Sequence, residues 1–256
     1  MMGANRRKFI KAAGLAVLGL SVRPSLDVLA GEERFASTPA ATSKRYAMVV
    51  DPAKCGRAEG CTKCIDACHL AHNVPDFGNA KDEVKWVWKE DYAHAFDEEE
   101  EGHAVGGLAE QPILVMCNHC DNPPCVRVCP TQATWRREDG IVMFDMHRCI
   151  GCRFCMAGCP YGSRSFNFRD PRTHLKKANP DFPTRTKGVV EKCNFCEERL
   201  AEGRPPACVE ACEEKALVFG DLNDPQSEVR ALLASHYVIR RKSHLGTRPQ
   251  VYYIVT

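Results

Sequence analysis

Cys149-Ile150-Gly151-Cys152-Arg153-Phe154-Cys155-Met156-Ala157-Gly158-Cys159-Pro160 decides how this sequence reads. Its spacing, C-x₂-C-x₂-C-x₃-C-P, is that of thiolates holding cubane iron–sulfur clusters. Three thiolates set this close together can wrap three irons of one cube. The loop is too short for the fourth to close the same cube, so Cys159 is expected to serve a neighbouring cluster. Pro160 turns the chain away, since it has no N–H to continue a ladder.

Moving outward, the preceding group reads Cys117-Asn118-His119-Cys120-Asp121-Asn122-Pro123-Pro124-Cys125-Val126-Arg127-Val128-Cys129-Pro130. It widens the third spacing but keeps the x₃-C-P tail, which makes it the reciprocal partner. One cluster is therefore expected on Cys117, Cys120, Cys125 and Cys159, and another on Cys149, Cys152, Cys155 and Cys129. The remaining cysteines form two outer groups, Cys55, Cys61, Cys64 and Cys68, and Cys193, Cys196, Cys208 and Cys212. Crossed in the same way, they give a cluster on Cys55, Cys61, Cys64 and Cys212, and one on Cys193, Cys196, Cys208 and Cys68. The long Cys55–Cys61 gap and Glu213 in the place of proline are departures. With all sixteen ligand positions cysteine, four [4Fe–4S] clusters are expected.

Short apolar segments flank the groups: Tyr46 to Asp51, Ile113 to Met116, Ile141 to Phe144 and Ala216 to Phe219. Short strands, cysteine loops and brief helices in repetition predict an α+β fold, a duplicated bacterial-ferredoxin-like (4Fe–4S) domain with insertions over residues 46–256. The insertion from Asn73 to Gln111 carries Trp86-Val87-Trp88, read as packing residues, and the acidic run Glu98 to Glu101, read as a solvated loop. The insertion from Asn167 to Lys192 is rich in Arg and Lys and reads as surface, with a partner-facing role as the second reading. His69, His72, His119 and His147 stand near the groups and are expected at the surface or donating to cluster sulfurs, not ligating iron.

A net charge of +2 leaves no nucleic-acid footprint, and the chain has neither a dinucleotide fingerprint nor a nucleophile–base pair. No catalytic residue and no small-molecule substrate of its own are expected. At the start, Arg6-Arg7 precedes the apolar stretch Ala12 to Val22, and Val28-Leu29-Ala30 resembles a cleavage site. This reads as a cleavable twin-arginine signal over residues 1–30, with a linker over 31–45, and it predicts the periplasmic side. Two rival readings of the cysteines remain. Eight disulfides would make an exported disulfide-stapled binding protein, but C-x₂-C-x₂-C crowds too many thiols for simple pairing. Zinc sites of four cysteines would not need the crossed x₃-C-P tails.

The stretches Cys117 to Thr131, Cys149 to Gly162 and Lys192 to Cys212 resemble the four-cluster iron–sulfur subunits of the molybdopterin oxidoreductase superfamily, of the polysulfide, tetrathionate and nitrite reductase type. Leu217 to Pro225 and Gly246 to Tyr253 are also similar, so the likeness runs from Tyr46 onward. Gln132 departs from it, standing where the family often has glycine. Because the signal lies on this chain itself, and because of the Cys55–Cys61 spacing, the resemblance is greatest to the exported subunits of DsrMKJOP-type membrane complexes. It implies one-electron transfer in a respiratory membrane complex linked to sulfur metabolism, including sulfate and sulfite reduction. The implied partners are an integral-membrane quinone-interacting subunit and haem or other redox subunits. Electron transfer within an exported molybdopterin reductase or a nitrite-reduction system is the other reading.

Overall fold

The computed structural model describes residues 44–58, 60–96 and 111–255. The signal segment with Arg6 and Arg7, most of the linker and the acidic run Glu98 to Glu101 lie outside the described residues. The chain divides into a unit spanning Met1–Thr42 and a unit spanning Ser43–Thr256; only the second is described below.

Strand β1 (Tyr46–Val50) is an unbroken apolar run because both of its faces are covered. Met48 and Val50 point into the main core, whereas Ala47 and Val49 join a second cluster with Val229 and Ile254. Asp51 then caps helix α1 (Pro52–Gly56), its carboxylate accepting the Lys54 N–H at 3.0 Å with proline in the first turn. That cap sets where Cys55 leaves the strand. Helix α2 (Lys63–Ala71) follows and buries Cys64 and Cys68.

Strand β2 (Val87–Glu90) and helix α3 (Tyr92–Ala95) come from the first insertion. β2 pairs antiparallel with β3 (Ile113–Met116), Val87 opposite Met116, and so holds the strand that delivers Cys117. Trp86 and Trp88 are buried there, as packing residues should be. Helix α4 (Pro124–Arg127) carries Cys125; a hairpin of β4 (Thr134–Arg136) and β5 (Val142–Phe144) leads to the next group and to α5 (Phe154–Ala157).

A two-residue ribbon, β6 (Ser165–Phe166) with β7 (Val190–Glu191), spans the second insertion. This insertion is not simply surface. Arg185, Lys192 and Asn167 are 2%, 0% and 0% exposed, because Arg185 pairs with Glu191 at 2.6 Å and its guanidinium holds the carbonyls of His72 and Asn73. Cys196 stands at the N-terminus of α6 (Glu197–Ala201), and α7 (Ala207–Glu210) carries Cys208.

The chain then returns to β1. β8 (Leu217–Asp221) pairs antiparallel with it on one side and β10 (Val251–Ile254) parallel on the other. β9 (Val238–Ile239) completes the order β8-β1-β10-β9, and α8 (Glu228–Ser235) seals the face bearing Ala47 and Val49. Each of the four sequence-predicted strands is present, within a residue or two of its expected bounds. Among the described residues no helix is long and apolar enough to cross a membrane.

Candidate iron–sulfur sites

In every cysteine group the last two thiols are four residues apart, at 64/68, 125/129, 155/159 and 208/212. Each such pair starts within a short helix, α2, α4, α5 or α7. Four residues advance a helix by about 6 Å while keeping one face. One turn can thus offer its first thiol to one site and its second to the next, which is the physical basis of the crossing.

The thiols converge accordingly. Cys129, Cys149, Cys152 and Cys155 line one cavity, Cys117, Cys120, Cys125 and Cys159 a second, and Cys55, Cys61, Cys64 and Cys212 a third. Cys68, Cys193, Cys196 and Cys208 are all buried, and the thiols that act most strongly on Cys68 are Cys193, Cys208 and Cys196. We call these the group-three, group-two, group-one and group-four sites, after the group supplying three thiols. All sixteen cysteines are free, and none is in a disulfide.

The electrostatics suit a multivalent iron centre. Burial first, and then the other thiols of its quartet, push Cys64 up to about 12. Cys68 and Cys208 are raised for the same two reasons. Such thiols become thiolates when a metal supplies the compensating charge. Donors already point at the sulfurs: Ala207 N–H to Cys196 at 3.3 Å, Ala216 N–H to Cys212 at 3.2 Å, and the Arg164 guanidinium to Cys125 at 3.1 Å. Hydrogen bonds of this kind favour sulfur in its charged, metal-bound form and tune an iron–sulfur centre.

Backbone conformation explains three loop positions. The third residue after the final cysteine is left-handed in three groups: Gln132 (φ +54°), Gly162 (φ +64°) and Lys215 (φ +49°). Glycine is the residue that adopts this freely, so Gln132 and Lys215 occupy positions suited to it. Gly151 is different: at φ +69° its missing side chain leaves room for the Gly188 carbonyl.

The histidines divide. His147 is exposed and His69 half-buried. His72 is 1% exposed, stacked on Trp86 at 4.5 Å, with Nδ1 3.7 Å from Cys68 Sγ and Nε2 2.8 Å from Glu198. Burial alone would lower its pKa, but hydrogen bonds with Cys196 and Glu198 carry it to about 9. His119 is also buried, and burial holds it neutral; its Nδ1 accepts the Val142 N–H at 3.0 Å. Its ring lies 3.7 Å from that of Phe195. Both rings occupy the third place of a Cys-Asn-X-Cys turn, one from group two and one from group four. Their stack is where the two halves of the duplication meet.

Sequence reasoning missed Arg164, and although it marked the stretches that begin at Lys192 and at Gly246 as family-like, it gave no role to Lys192 or to the closing strap. The strap is the run before β10: the Thr247 and Arg248 carbonyls accept from Asn122 and Asp121, and Gln250 N–H donates to Asn118 O at 2.8 Å. Thr247 also holds the Tyr161 hydroxyl. Only adjacency to Cys193 could have marked Lys192.

The group-three site carries the one fully exposed thiol among the described residues. Cys152 is exposed, flanked by Ile150 and Phe154 at 67% and 60% exposure. The other thiols are buried or half-buried.

Comparison with known proteins agrees with this chemistry. The 4Fe-4S dicluster domain profile matches residues 113–222. The chain is similar to an Hdr-like menaquinol oxidoreductase iron-sulfur subunit 1 of Archaeoglobus fulgidus, at 40% identity over 97% of each chain. It is similar to the iron-sulfur cluster-binding subunit of a menaquinone reductase of Nitratidesulfovibrio vulgaris, at 38% identity over 82% of this chain and 88% of the other. With a subunit of the tetrathionate reductase of Salmonella typhimurium it shares 35% identity over 99% of this chain and 89% of that one.

Proposed function

The chain belongs to the 4Fe–4S iron–sulfur subunits of quinol- and molybdopterin-type oxidoreductase complexes, and on that footing we propose that it is a periplasmic four-cluster electron carrier. It would link an integral-membrane quinone-interacting subunit to a haem or other redox subunit. The system we infer is a sulfur-metabolising complex of the DsrMKJOP type. As an electron-transfer component it works on no substrate of its own.

The observation that carries this reading is the convergence of sixteen cysteines on four sites through the crossed pairs. Cys55, Cys61, Cys64 and Cys212 would hold one [4Fe–4S] cluster, and Cys68, Cys193, Cys196 and Cys208 the next. Cys117, Cys120, Cys125 and Cys159 would hold the third, and Cys129, Cys149, Cys152 and Cys155 the fourth. Bound there, each cluster supplies a one-electron couple whose potential follows its hydrogen bonds and burial. The chain's own part is to enclose the group-two and group-four sites and to leave Ile150, Phe154 and Cys152 at a surface where a partner can approach. Export is supported by Arg6-Arg7 and the quinone link by the menaquinol and menaquinone names of two relatives.

The test is iron and acid-labile sulfide per chain, with electron paramagnetic resonance, on anaerobically purified protein. About sixteen irons with interacting reduced [4Fe–4S] signals are expected under thiolate ligation. Zinc in their place, or half that iron, would overturn the reading. Cys159→Ala should remove the group-two signal and spare the group-three one; the reverse loss would refute the crossing. Cell fractionation, with and without Arg6→Lys and Arg7→Lys, tests the export.

The tetrathionate reductase relative, matched over 99% of this chain, favours a second reading, the electron-transfer subunit of an exported molybdopterin reductase. Chains that copurify with this one distinguish the two.

A further inference from the structure

Two cations lie sealed inside the wall around the group-two site, and among the described residues neither is in an ion pair. Lys192 is 0% exposed; its ammonium donates to the Val142 carbonyl and to Cys193 O at 2.6 Å. The charges that act on it are the Cys117 thiol, the like-charged Arg164, and the thiols of Cys193 and Cys125. Arg164 is 5% exposed, donates to Cys125 Sγ at 3.1 Å and Thr134 Oγ1 at 2.7 Å, and lines both the group-two and group-three cavities.

Glu191, beside Lys192 in sequence, does not neutralise it. Its carboxylate is engaged by Arg185 at 2.6 Å, Trp86 Nε1 at 2.7 Å and Asn167 Nδ2 at 2.6 Å. Among the described residues, the thiols that interact with both buried cations are those of Cys117 and Cys125, in group two. The group-four site is unlike it. Lys192 reaches its Cys193 as well, but the thiols around Arg164 are Cys125, Cys155 and Cys117, none of that quartet, and His72 there is hydrogen-bonded to the Glu198 carboxylate at 2.8 Å.

We propose that Lys192 and Arg164 raise the reduction potential of the group-two site above that of the group-four site. An electron entering the interior then rests at Cys117, Cys120, Cys125 and Cys159. The inference rests on the four-cluster reading. Reduction adds one electron and one negative charge to a thiolate-bound cluster, with no bond made or broken. In a water-excluded setting a fixed cation favours the added charge strongly, while burial without one opposes it. Lys192 and Arg164 are thus potential-setting residues, acting through the site and not at a reacting atom.

The test is a potentiometric titration of the holoprotein with dithionite as electron donor, read by electron paramagnetic resonance, with iron counted in each sample. The group-two signal is identified by its loss in Cys117→Ser. Lys192→Met and Arg164→Gln should each move that signal to lower potential by at least tenfold in the reduction equilibrium, about 59 mV for a one-electron couple. Arg164→Lys, which keeps the charge, should restore most of it, and the group-one signal should stay in place. Full iron with an unmoved group-two potential overturns the proposal, as does an equal shift of every signal. Loss of group-two iron in both charge-removing variants, with Arg164→Lys no better, also overturns it, because the cations would then be structural. Parent protein lacking four clusters would instead refute the four-cluster reading.

Discussion

Gln132 and Gly151 share a left-handed backbone, but one carries a side chain there and the other has no room for one. Gln132 holds a left-handed φ of +54° that costs a side-chain-bearing residue about 1 kcal/mol. Gln132→Gly should raise stability by up to about 1 kcal/mol, measured as the shift of a denaturant midpoint at constant slope. Gly151→Ala should do the reverse. It combines a strained φ with a methyl group driven into the Gly188 carbonyl, so a loss of about 1–3 kcal/mol is expected. Iron should be lost from the group-three site before the others, which cluster-specific spectra would show. At this scale the converging cysteines were legible because chemistry fixes thiol spacing directly. Lys192 and Arg164 were not, because a sequence gives no sign that a lysine in a basic stretch will end with no exposed surface. Its burial comes from β7 running into the core beside Cys193, a tertiary fact.

At the scale of elements, the second insertion is anchored in the core by one buried ion pair among the described residues. Arg185 and Glu191 are both buried, and the pair joins the loop to β7, to Trp86 and to the end of α2. Glu191→Ala leaves a buried guanidinium without its partner and should cost about 3–5 kcal/mol in equilibrium unfolding of the holoprotein. Truncating the indole, Trp86→Ala, should cost a similar 3–5 kcal/mol through the cavity it opens. A smaller loss than about 1 kcal/mol in either would mean the insertion does not brace the group-four helices. The strands were legible as apolar runs beside cysteines. Their partners were not. Nothing in Tyr46–Val50 announces that it runs parallel to Val251–Ile254, since pairing over such a separation depends on everything folded between.

At the scale of the molecule, the thiols are the centre of the packing and not additions to it. Cys64, Cys68, Cys117, Cys193 and Cys208 belong to the main core with Met48, Trp86 and Tyr253. Stripping iron with an oxidant and a chelator should therefore abolish cooperative unfolding across residues 44–255. Hydrogen exchange would show protection lost in β1 and β10 as well as in the cysteine loops. Retained protection in the four-stranded sheet would show that it folds without metal. The exposed Ile150 and Phe154 make a complementary prediction. Phe154→Glu should leave iron content unchanged and slow reduction by the quinone-interacting subunit proposed as its partner, seen in stopped-flow at cluster absorbance.

The position of β1 also bears on time. It is the first described strand made, yet its neighbours begin at Leu217 and Val251, and Cys55 meets Cys212 only when they arrive. At ordinary synthesis rates, the stretch from Val50 to Leu217 takes roughly ten to thirty seconds to emerge. Throughout that interval a bare apolar ribbon and a set of open thiols wait beside the ribosome. The cell has to shield both, and the last iron can be sealed in only after translation of the closing strands.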